Sequence, residues 1–381
     1  MAGRQGTVEG MEMKGLFNNV FEAKTVLVTG HTGFKGSWLS IWLRELGAEV
    51  IGYALEPYTE KDNFAVAKVG NKIRSHIGDI RDYDKLKRIF DEYQPEFVFH
   101  MAAQPLVRLS YQQPKLTYDT NVGGTVNLLE CCRLTDSVRV IINVTSDKCY
   151  ENKEWVWGYR ENDPVGGYDP YSSSKGCSEI ITSAYRNSFF NVSEHQQHNK
   201  SISSVRAGNV IGGGDWREDR LVPDCIRALR NNKPIGIRSP KSVRPWQYVL
   251  EPLSGYLVLA SKMYENEEKY SGAWNFGPDY RSIITVEELV SSLIRYWGNG
   301  QYKDLSKRLA DEPHEAKSLV LDISKATNLL NWRPTLTVNE AIEYAVNWYK
   351  APDVDYDFCV KQINDYVDKL TKRQAMSSHE G

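Results

Sequence analysis

Hydrophobic positions in the first half of the chain form strand-length runs separated by helix-length segments. The runs cover residues 25–29, 49–53, 72–76, 97–100 and 138–144. They show little polar alternation, which is typical of parallel strands buried on both faces. A helix after the first run is predicted by the apolar positions Trp38, Leu39, Trp42, Leu43 and Leu46. The pattern predicts an α/β fold, with a Rossmann-type doubly wound parallel sheet and right-handed crossovers.

After about residue 206 the elements become shorter and turns become frequent. Amphipathic helices are predicted near residues 286–296 and 338–348. We expect a dinucleotide-binding domain over residues 20–206, with later returns near 244–276. A smaller, discontinuous C-terminal lobe over 207–350 is expected to bind substrate at the carboxyl edge of the sheet. The ends, residues 1–19 and 372–381, are predicted to be flexible.

Charge and composition exclude several classes of function. The 381 residues contain 47 Lys and Arg against 49 Asp and Glu, so no basic excess exists to hold a nucleic acid or an anionic membrane. The six cysteines form no C-x-x-C pair, and with seven histidines they make no recognisable zinc spacing. No segment has the pattern of a signal peptide or a membrane span. A cytoplasmic protein without a metal is therefore expected.

A glycine-rich turn follows the first predicted strand and opens the first predicted helix. It reads Gly30, His31, Thr32, Gly33, Phe34, Lys35 and Gly36. Glycines allow a sharp turn and a close approach of the backbone to a pyrophosphate, which the free N–H groups of the helix N-terminus attract. A structural glycine turn is the alternative. The order strand, glycines, helix favours a dinucleotide site.

Two further strand ends supply candidate cofactor contacts. The first is Asp79 with Ile80, where a carboxylate can accept from an adenine amino group; the second is Ala102, Ala103 and Gln104, where small residues leave room for a ribose. The alternative for Asp79 is a helix cap. At the end of the second strand only Glu56 is close enough to bind an adenosine ribose, and no arginine is present. NAD is therefore expected, with NADP left open.

Three Tyr-x-x-x-Lys pairs occur in the chain, and their positions distinguish them. They are Tyr83/Lys87, Tyr111/Lys115 and Tyr171/Lys175. Residues four apart share a helix face, and a nearby ammonium is expected to lower the pKa of a phenol. Pro114 breaks the second pair, and the first lies far in sequence from the expected catalytic end of the sheet. Tyr171/Lys175 opens a long helix after the fifth strand, which favours a catalytic role.

The fifth predicted strand ends in Ser146, Asp147 and Lys148. A simple dehydrogenase needs one hydroxyl at this position, so an additional acid and base indicate a further chemical step. A surface salt bridge between Asp147 and Lys148 is the alternative.

These motifs together resemble the extended short-chain dehydrogenase/reductase family over about residues 20–350. The matching segments are 29–38, 145–150, 169–175, 206–216, 244–247 and 322–326. The resemblance implies a Rossmann fold, NAD and a nucleotide-sugar substrate. Dehydratases of this family that act on dTDP-glucose or GDP-mannose usually carry Glu where this chain has Lys148, so the implied substrate is CDP-glucose.

By the same resemblance, the implied reaction is a dehydration with internal redox chemistry. Tyr171, held as phenolate by Lys175, takes the proton of the C4 hydroxyl that Ser146 positions. Lys148 removes the C5 proton, and Asp147 protonates the departing C6 hydroxyl. The implied phosphate-contacting residues are Asn209 and Arg244, with Arg217 and Arg220 as helpers or as solvated surface groups.

The resemblance also implies a homodimer, with higher assembly left open. The helices near residues 114–133 and 171–190 would pair with their copies through Leu128, Leu129, Cys132, Ile180, Ile181 and Ala184. These faces equally suit packing on the chain's own sheet. The rival functions are another nucleotide-sugar 4,6-dehydratase, an epimerase without need of the Asp147/Lys148 couple, and a non-catalytic dinucleotide sensor.

Overall fold

The computed structural model describes Met13, residues 15–306 and residues 319–377. The strands are β1 Thr25–Thr29, β2 Glu49–Ala54, β3 Arg74–Ile77, β4 Phe97–His100, β5 Val140–Val144, β6 Ser201–Ala207, β7 Val210–Ile211, β8 Ile235–Ile237, β9 Val243–Pro245, β10 Gln247–Tyr248, β11 Gly272–Phe276, β12 Ile283–Thr285 and β13 Tyr302–Asp304. Seven of them form one sheet in the order β3-β2-β1-β4-β5-β6-β11. All neighbouring pairs in this sheet are parallel.

Helices cover both faces of the sheet and build the second lobe. They are α1 Phe34–Glu45, α2 Asn63–Val66, α3 Tyr83–Tyr93, α4 Val107–Gln112, α5 Pro114–Tyr118, α6 Gly124–Arg133, α7 Pro170–Ser188, α8 His195–His198, α9 Leu221–Arg230, α10 Leu250–Glu265, α11 Glu267–Tyr270, α12 Val286–Trp297, α13 Ser324–Leu330, α14 Val338–Lys350 and α15 Tyr356–Ser377. Pro114 separates α4 from α5, as the sequence predicted. Within the described residues, no helix is both long and apolar enough to cross a membrane.

The predicted doubly wound sheet is confirmed. Strands β1 and β4 have the predicted bounds, whereas β3 and β5 each begin two residues later than predicted. The central strands are buried on both faces, with β4 and β5 buried at every position. Strand order reverses between β1 and β4, and in open α/β sheets a crevice for ligands forms at the carboxyl ends of the strands at such a point.

The chain beyond β6 returns to the main sheet before it completes the second lobe. Strand β11 joins the sheet beside β6, and α10 packs against it. Short pairs β8/β13 and β9/β12, with α9 and α12, form the lobe above the carboxyl edge. The long helix α15, which packs on α1, was not predicted from the sequence.

The two chain ends predicted to be flexible fall partly within the described residues. Leu16–Asn19 forms a helical turn, and residues 372–377 belong to α15. Residues 1–12, 14 and 378–381 lie outside the described residues.

Candidate active site

A cleft of about 1360 Å³ lies between the carboxyl edge of the sheet and the second lobe. Its floor consists of the turns after β1, β3, β4 and β5, and its far wall comes from the segments around α9, β8 and β9. The cleft therefore lies where the strand order predicts a ligand site.

The turn after β1 leaves no room for side chains at two of its glycines. Gly30 has a φ of 76°, and a Cβ there would lie 2.7 Å from the backbone nitrogen of Ala102. A Cβ on Gly36 would lie 2.1 Å from the carbonyl oxygen of Gly30. The turn thus brings bare backbone and the N-terminus of α1 to the cleft. This geometry fits the pyrophosphate of a dinucleotide cofactor.

Most of the predicted cofactor residues line this cleft. They are Gly30, Thr32, Gly33, Phe34, Lys35, Gly36, Asp79, Ile80, Ala102, Ala103, Gln104, Tyr171 and Lys175. His31 is the exception, because its buried ring packs over Gly52 and its Nε2 lies 2.7 Å from Ser75 Oγ. Burial lowers the pKa of His31 to about 4, so the ring is neutral and serves to pack the turn.

Two charged cofactor candidates have environments that the sequence did not indicate. The carboxylate of Asp79 accepts hydrogen bonds from Arg81, which hold the pKa of Asp79 below its usual value. Burial, with Lys175 and Arg220 nearby, lowers the pKa of Lys35 to about 7. Lys35 therefore adds a cation to the cleft chiefly below neutral pH.

Tyr171 and Lys175 lie in the first two turns of α7, with both side chains buried. The helix begins where the Asp169 carboxylate accepts a hydrogen bond of 2.9 Å from Ser172 N, and Pro170 occupies its first position. Tyr171 is 8% exposed and lies close enough to the Ser146 hydroxyl for that group to lower its pKa. Lys175 is 6% exposed, and its Nζ donates to the Val144 carbonyl at 3.2 Å.

The prediction that Lys175 lowers the pKa of Tyr171 is wrong for this geometry. Burial raises the pKa of Tyr171 to about 12, opposed by the hydrogen bond with Ser146 and by the charge of Arg220. Burial also lowers the pKa of Lys175 to about 8. The physical reason is that the cost of desolvating a phenolate outweighs its attraction to the Lys175 ammonium. That ammonium is directed at the Val144 carbonyl.

Ser146, Asp147 and Lys148 form a tight turn at the end of β5. Ser146 Oγ donates to Asp147 Oδ1 at 2.9 Å and accepts from Lys148 N at 3.2 Å. Asp147 is 6% exposed, so a surface salt bridge does not describe it, while Lys148 is half-buried. Burial raises the pKa of Asp147 above its usual value, against the charges of Lys148 and Arg244 and the Ser146 hydrogen bond. The turn therefore places a buried carboxyl group beside a half-buried lysine side chain.

The four predicted substrate residues all line the wall opposite this turn. Arg217 lies over the ring of Tyr58 at 4.0 Å, and Arg220 Nη1 donates to Asp215 at 2.7 Å. Arg244 lies close enough to Asp147 to affect its pKa. Asn209 also lines the cleft, and its carbonyl accepts from Gln247 N.

A second charged group in the same wall was not predicted from the sequence. Asp219 lies between Arg108, at 3.4 Å, and Arg238, at 3.8 Å. The three residues come from α4, the α9 approach and the end of β8, so no local pattern in the sequence could have joined them.

Some residues of the predicted dimer face are buried in the chain's own core, and others are exposed. Leu128, Leu129 and Cys132 are fully buried in the chain's own core, so for these three residues the structure matches the alternative of packing on the chain's own sheet. Ile181 is partly buried against the same core, whereas Ile180 is 57% exposed and Ala184 is exposed.

The glycine turn, the switch-point cleft and the Ser-Tyr-Lys set define a class of dinucleotide-dependent enzymes, the extended short-chain dehydrogenases/reductases. Comparison with known proteins places the chain within that class. Residues 27–345 match the model of the GDP-mannose 4,6 dehydratase family, and the chain belongs to this family.

A curated relative and two solved structures are similar to the chain over most of its length. A CDP-glucose 4,6-dehydratase of Salmonella typhimurium is 53% identical over 359 residues, covering 93% of this chain and 99% of the relative. An epimerase structure from Methanothermobacter thermautotrophicus superposes with a TM-score of 0.74 at 25% identity, covering 89% and 95% of the two chains. A dTDP-glucose 4,6-dehydratase from Bacillus anthracis, in complex with NAD, shares the fold at a TM-score of 0.69 and 21% identity, covering 86% and 97%.

Proposed function

We propose that the protein is a CDP-glucose 4,6-dehydratase, which converts CDP-glucose to CDP-4-keto-6-deoxy-D-glucose and water with NAD as a bound cofactor. The observation that carries the proposal is the turn in which Lys148 follows the buried Asp147, with Ser146 hydrogen-bonded to Asp147 and close to Tyr171. Near-full-length similarity to a curated CDP-glucose 4,6-dehydratase supports it.

The cofactor is held by the turn after β1 and by the strand ends beside it. The glycine turn and the N-terminus of α1 would hold the pyrophosphate, and Asp79 and Ile80 would hold the adenine. NAD, when bound, accepts the hydride from C4 of the glucose ring and returns it at C6.

The first proton transfers use Tyr171, the nearby Ser146 hydroxyl and Asp147, to which Ser146 donates a hydrogen bond. As C4 is oxidised, the proton of its hydroxyl passes to the Tyr171 oxygen. The proton that Tyr171 carried passes through Ser146 to the carboxylate of Asp147. Burial raises the pKa of both Tyr171 and Asp147, so the relay ends with both groups neutral, as a desolvated site favours.

The elimination uses Asp147 and Lys148 as a pair. The new C4 ketone acidifies the C5 hydrogen, and Lys148 removes that proton as general base. Asp147 gives its proton to the C6 hydroxyl, which leaves as water. Lys148 then returns its proton to C5, so every group of the chain regains its starting state.

Recognition of the nucleotide belongs to the second lobe, which we propose to be the substrate domain over residues 207–350. Arg217, Arg220 and Arg244 line that wall, and guanidinium groups suit the oxygens of a diphosphate. Asn209 supplies a neutral polar side chain to the same wall.

A cytoplasmic homodimer is the proposed working form. Exposed apolar side chains on neighbouring helices support pairing through α5 to α7. They are Tyr118, Val126, Ile180 and Phe189, which are 38%, 38%, 57% and 47% exposed.

The test is to incubate the purified protein with NAD and, separately, with CDP-, dTDP-, UDP- and GDP-glucose and GDP-mannose. Mass spectrometry then measures the loss of one water. Loss from CDP-glucose alone is expected. Loss from another sugar nucleotide only, isomerisation at constant mass, or no reaction would overturn the proposal.

A further inference from the structure

A buried ion pair lies directly behind the catalytic turn and takes no part in the proton transfers proposed above. Glu179 on α7 and Arg206 on β6 are 5% and 3% exposed. Arg206 donates to both carboxylate oxygens of Glu179, from Nε at 2.9 Å and from Nη2 at 2.8 Å. Ser204 Oγ donates to the same carboxylate at 2.6 Å. Hydrogen bonds from neighbouring donors thus complete the pair, as burial requires.

The ion pair is attached to both ends of the catalytic turn. Before the turn, Thr145 Oγ1 donates to Glu179. After it, the Tyr150 hydroxyl accepts from Arg206 Nη1 at 2.6 Å and donates to Asn275 at 2.8 Å, and the guanidinium lies 4.7 Å from the Tyr150 ring centre. Ser146, Asp147, Lys148 and Cys149 therefore lie between two residues held by one buried charge pair.

The same pair is also attached to the helix of Tyr171. Residues 171, 175 and 179 are spaced by four, so Tyr171, Lys175 and Glu179 lie along one face of α7. Glu179 thus links the helix that carries the first proton acceptor to the turn that carries Asp147 and Lys148.

We propose that Glu179, Arg206, Thr145 and Tyr150 form a positioning frame that fixes Lys148 and Asp147 relative to Tyr171, so that oxidation at C4 is followed by elimination rather than by return of the substrate. These are positioning residues, because they act through the turn and not on the sugar. The proposal rests on the proposed dehydratase function.

The frame keeps its charge state over the working range of pH. Although burial raises the pKa of Glu179, the hydrogen bonds and charge of Arg206 hold it below its usual value, and Arg206 stays protonated. The frame is therefore a fixed electrostatic support, and its contribution is geometric. A misplacement of about 1 Å in such a support is enough to slow a chemical step strongly.

The decisive variant is Tyr150→Phe, which keeps the buried ring and removes the hydroxyl that joins Arg206 to the turn. Thr145→Val is the second variant and removes the link at the other end. Tyr366→Phe is the matched control, because it also removes a buried tyrosine hydroxyl. That hydroxyl hydrogen-bonds with Glu251 at 2.9 Å and with Ser254 at 3.0 Å, and Tyr366 does not line the cleft. Melting temperatures of all three variants verify the fold.

Three quantities are measured for each protein with CDP-glucose: the single-turnover rate of NAD reduction, the rate of water loss, and the fraction of cofactor reduced at steady state. We expect Tyr150→Phe and Thr145→Val to slow water loss by roughly 3- to 10-fold and NAD reduction clearly less, because only the elimination needs Lys148 in addition to Asp147. More reduced cofactor should then accumulate. Tyr366→Phe is expected to match wild type in all three.

Equal slowing of both half-reactions, or no slowing of either, would overturn the frame. The wild-type measurement separates this failure from that of the function, because a wild type that removes no water from CDP-glucose refutes the proposed function itself.

Discussion

The two walls of the cleft differ in how they hold their charged and polar groups. On the sheet side, Ser146, Asp147, Tyr171 and Lys175 are each at most 8% exposed, and burial shifts the pKa of Asp147, Tyr171 and Lys175. On the lobe side, Arg217 and Arg244 are half-buried, and Asp219 is held by guanidinium groups at 3.4 and 3.8 Å.

This difference separates chemistry from recognition. Proton transfer benefits from desolvated groups, whose pKa values respond to small changes in their surroundings. Binding a diphosphate needs cations that keep their charge and can adjust to the ligand. Variants on the sheet side should therefore change kcat, and variants on the lobe side should change KM.

The largest effect is expected for Tyr171→Phe, which removes the acceptor of the C4 hydroxyl proton. Turnover should fall by about 10³-fold or more, and no reduced cofactor should form. The control is Tyr83→Phe, which alters another Tyr-x-x-x-Lys pair and should leave turnover unchanged. Turnover that survives in Tyr171→Phe and is lost in Tyr83→Phe would reverse the assignment.

A smaller but more informative effect is expected for Lys148→Ala. Because Lys148 acts after oxidation, NAD should be reduced while water loss falls by about 10²- to 10³-fold. The absorbance of bound reduced cofactor and the mass of the product measure the two steps. Lys87→Ala, which removes an α3 lysine paired with Asp91, is the control. Normal water loss in Lys148→Ala would remove Lys148 from the mechanism.

On the lobe side, Arg217→Met should raise KM for CDP-glucose by roughly 10-fold, with kcat within twofold of wild type. Steady-state kinetics at saturating NAD measure both constants. Arg74→Met, at the exposed pair with Glu49, should change neither. A fall in kcat without a change in KM would place Arg217 in the chemistry and break the comparison of the two walls.

The smallest effect concerns pH. Burial lowers the pKa of Lys175 to about 8, so its ammonium is present below pH 8 and is lost as the pH rises through that value. The rate of NAD reduction should fall a few-fold between pH 7 and 9.5, with a midpoint near 8. Arginines stay protonated throughout, so KM should change less than about threefold. Arg217→Met should keep the same alkaline fall, and a flat profile in wild type would show that NAD reduction does not need the ammonium of Lys175.

The sequence predicted the fold well where a signal is local. Runs of hydrophobic residues predicted the exact bounds of β1 and β4. The glycine turn and the Tyr171/Lys175 pair were predicted from their spacing and from their positions after strands, and both line the cleft. The helix α15 was not predicted. Its buried face packs on α1, which lies near the other end of the chain.

Features that depend on packing could not be predicted in the same way. The exposure of Leu128 and Ile180 differs only because one faces the core, which helical periodicity alone does not decide. The high pKa of Tyr171 follows from desolvation, which the spacing of Tyr171 and Lys175 does not reveal. The Glu179–Arg206 pair joins residues 27 positions apart and was invisible for that reason.

The central claim is that one site oxidises C4, removes water and completes the reduction at C6 without exchange of the hydride. The most direct test uses CDP-glucose carrying deuterium at C4, in ordinary water with NAD. The account predicts a product that has lost one water and carries the deuterium at C6. Deuterium that remains at C4, or that is lost to solvent, would contradict it.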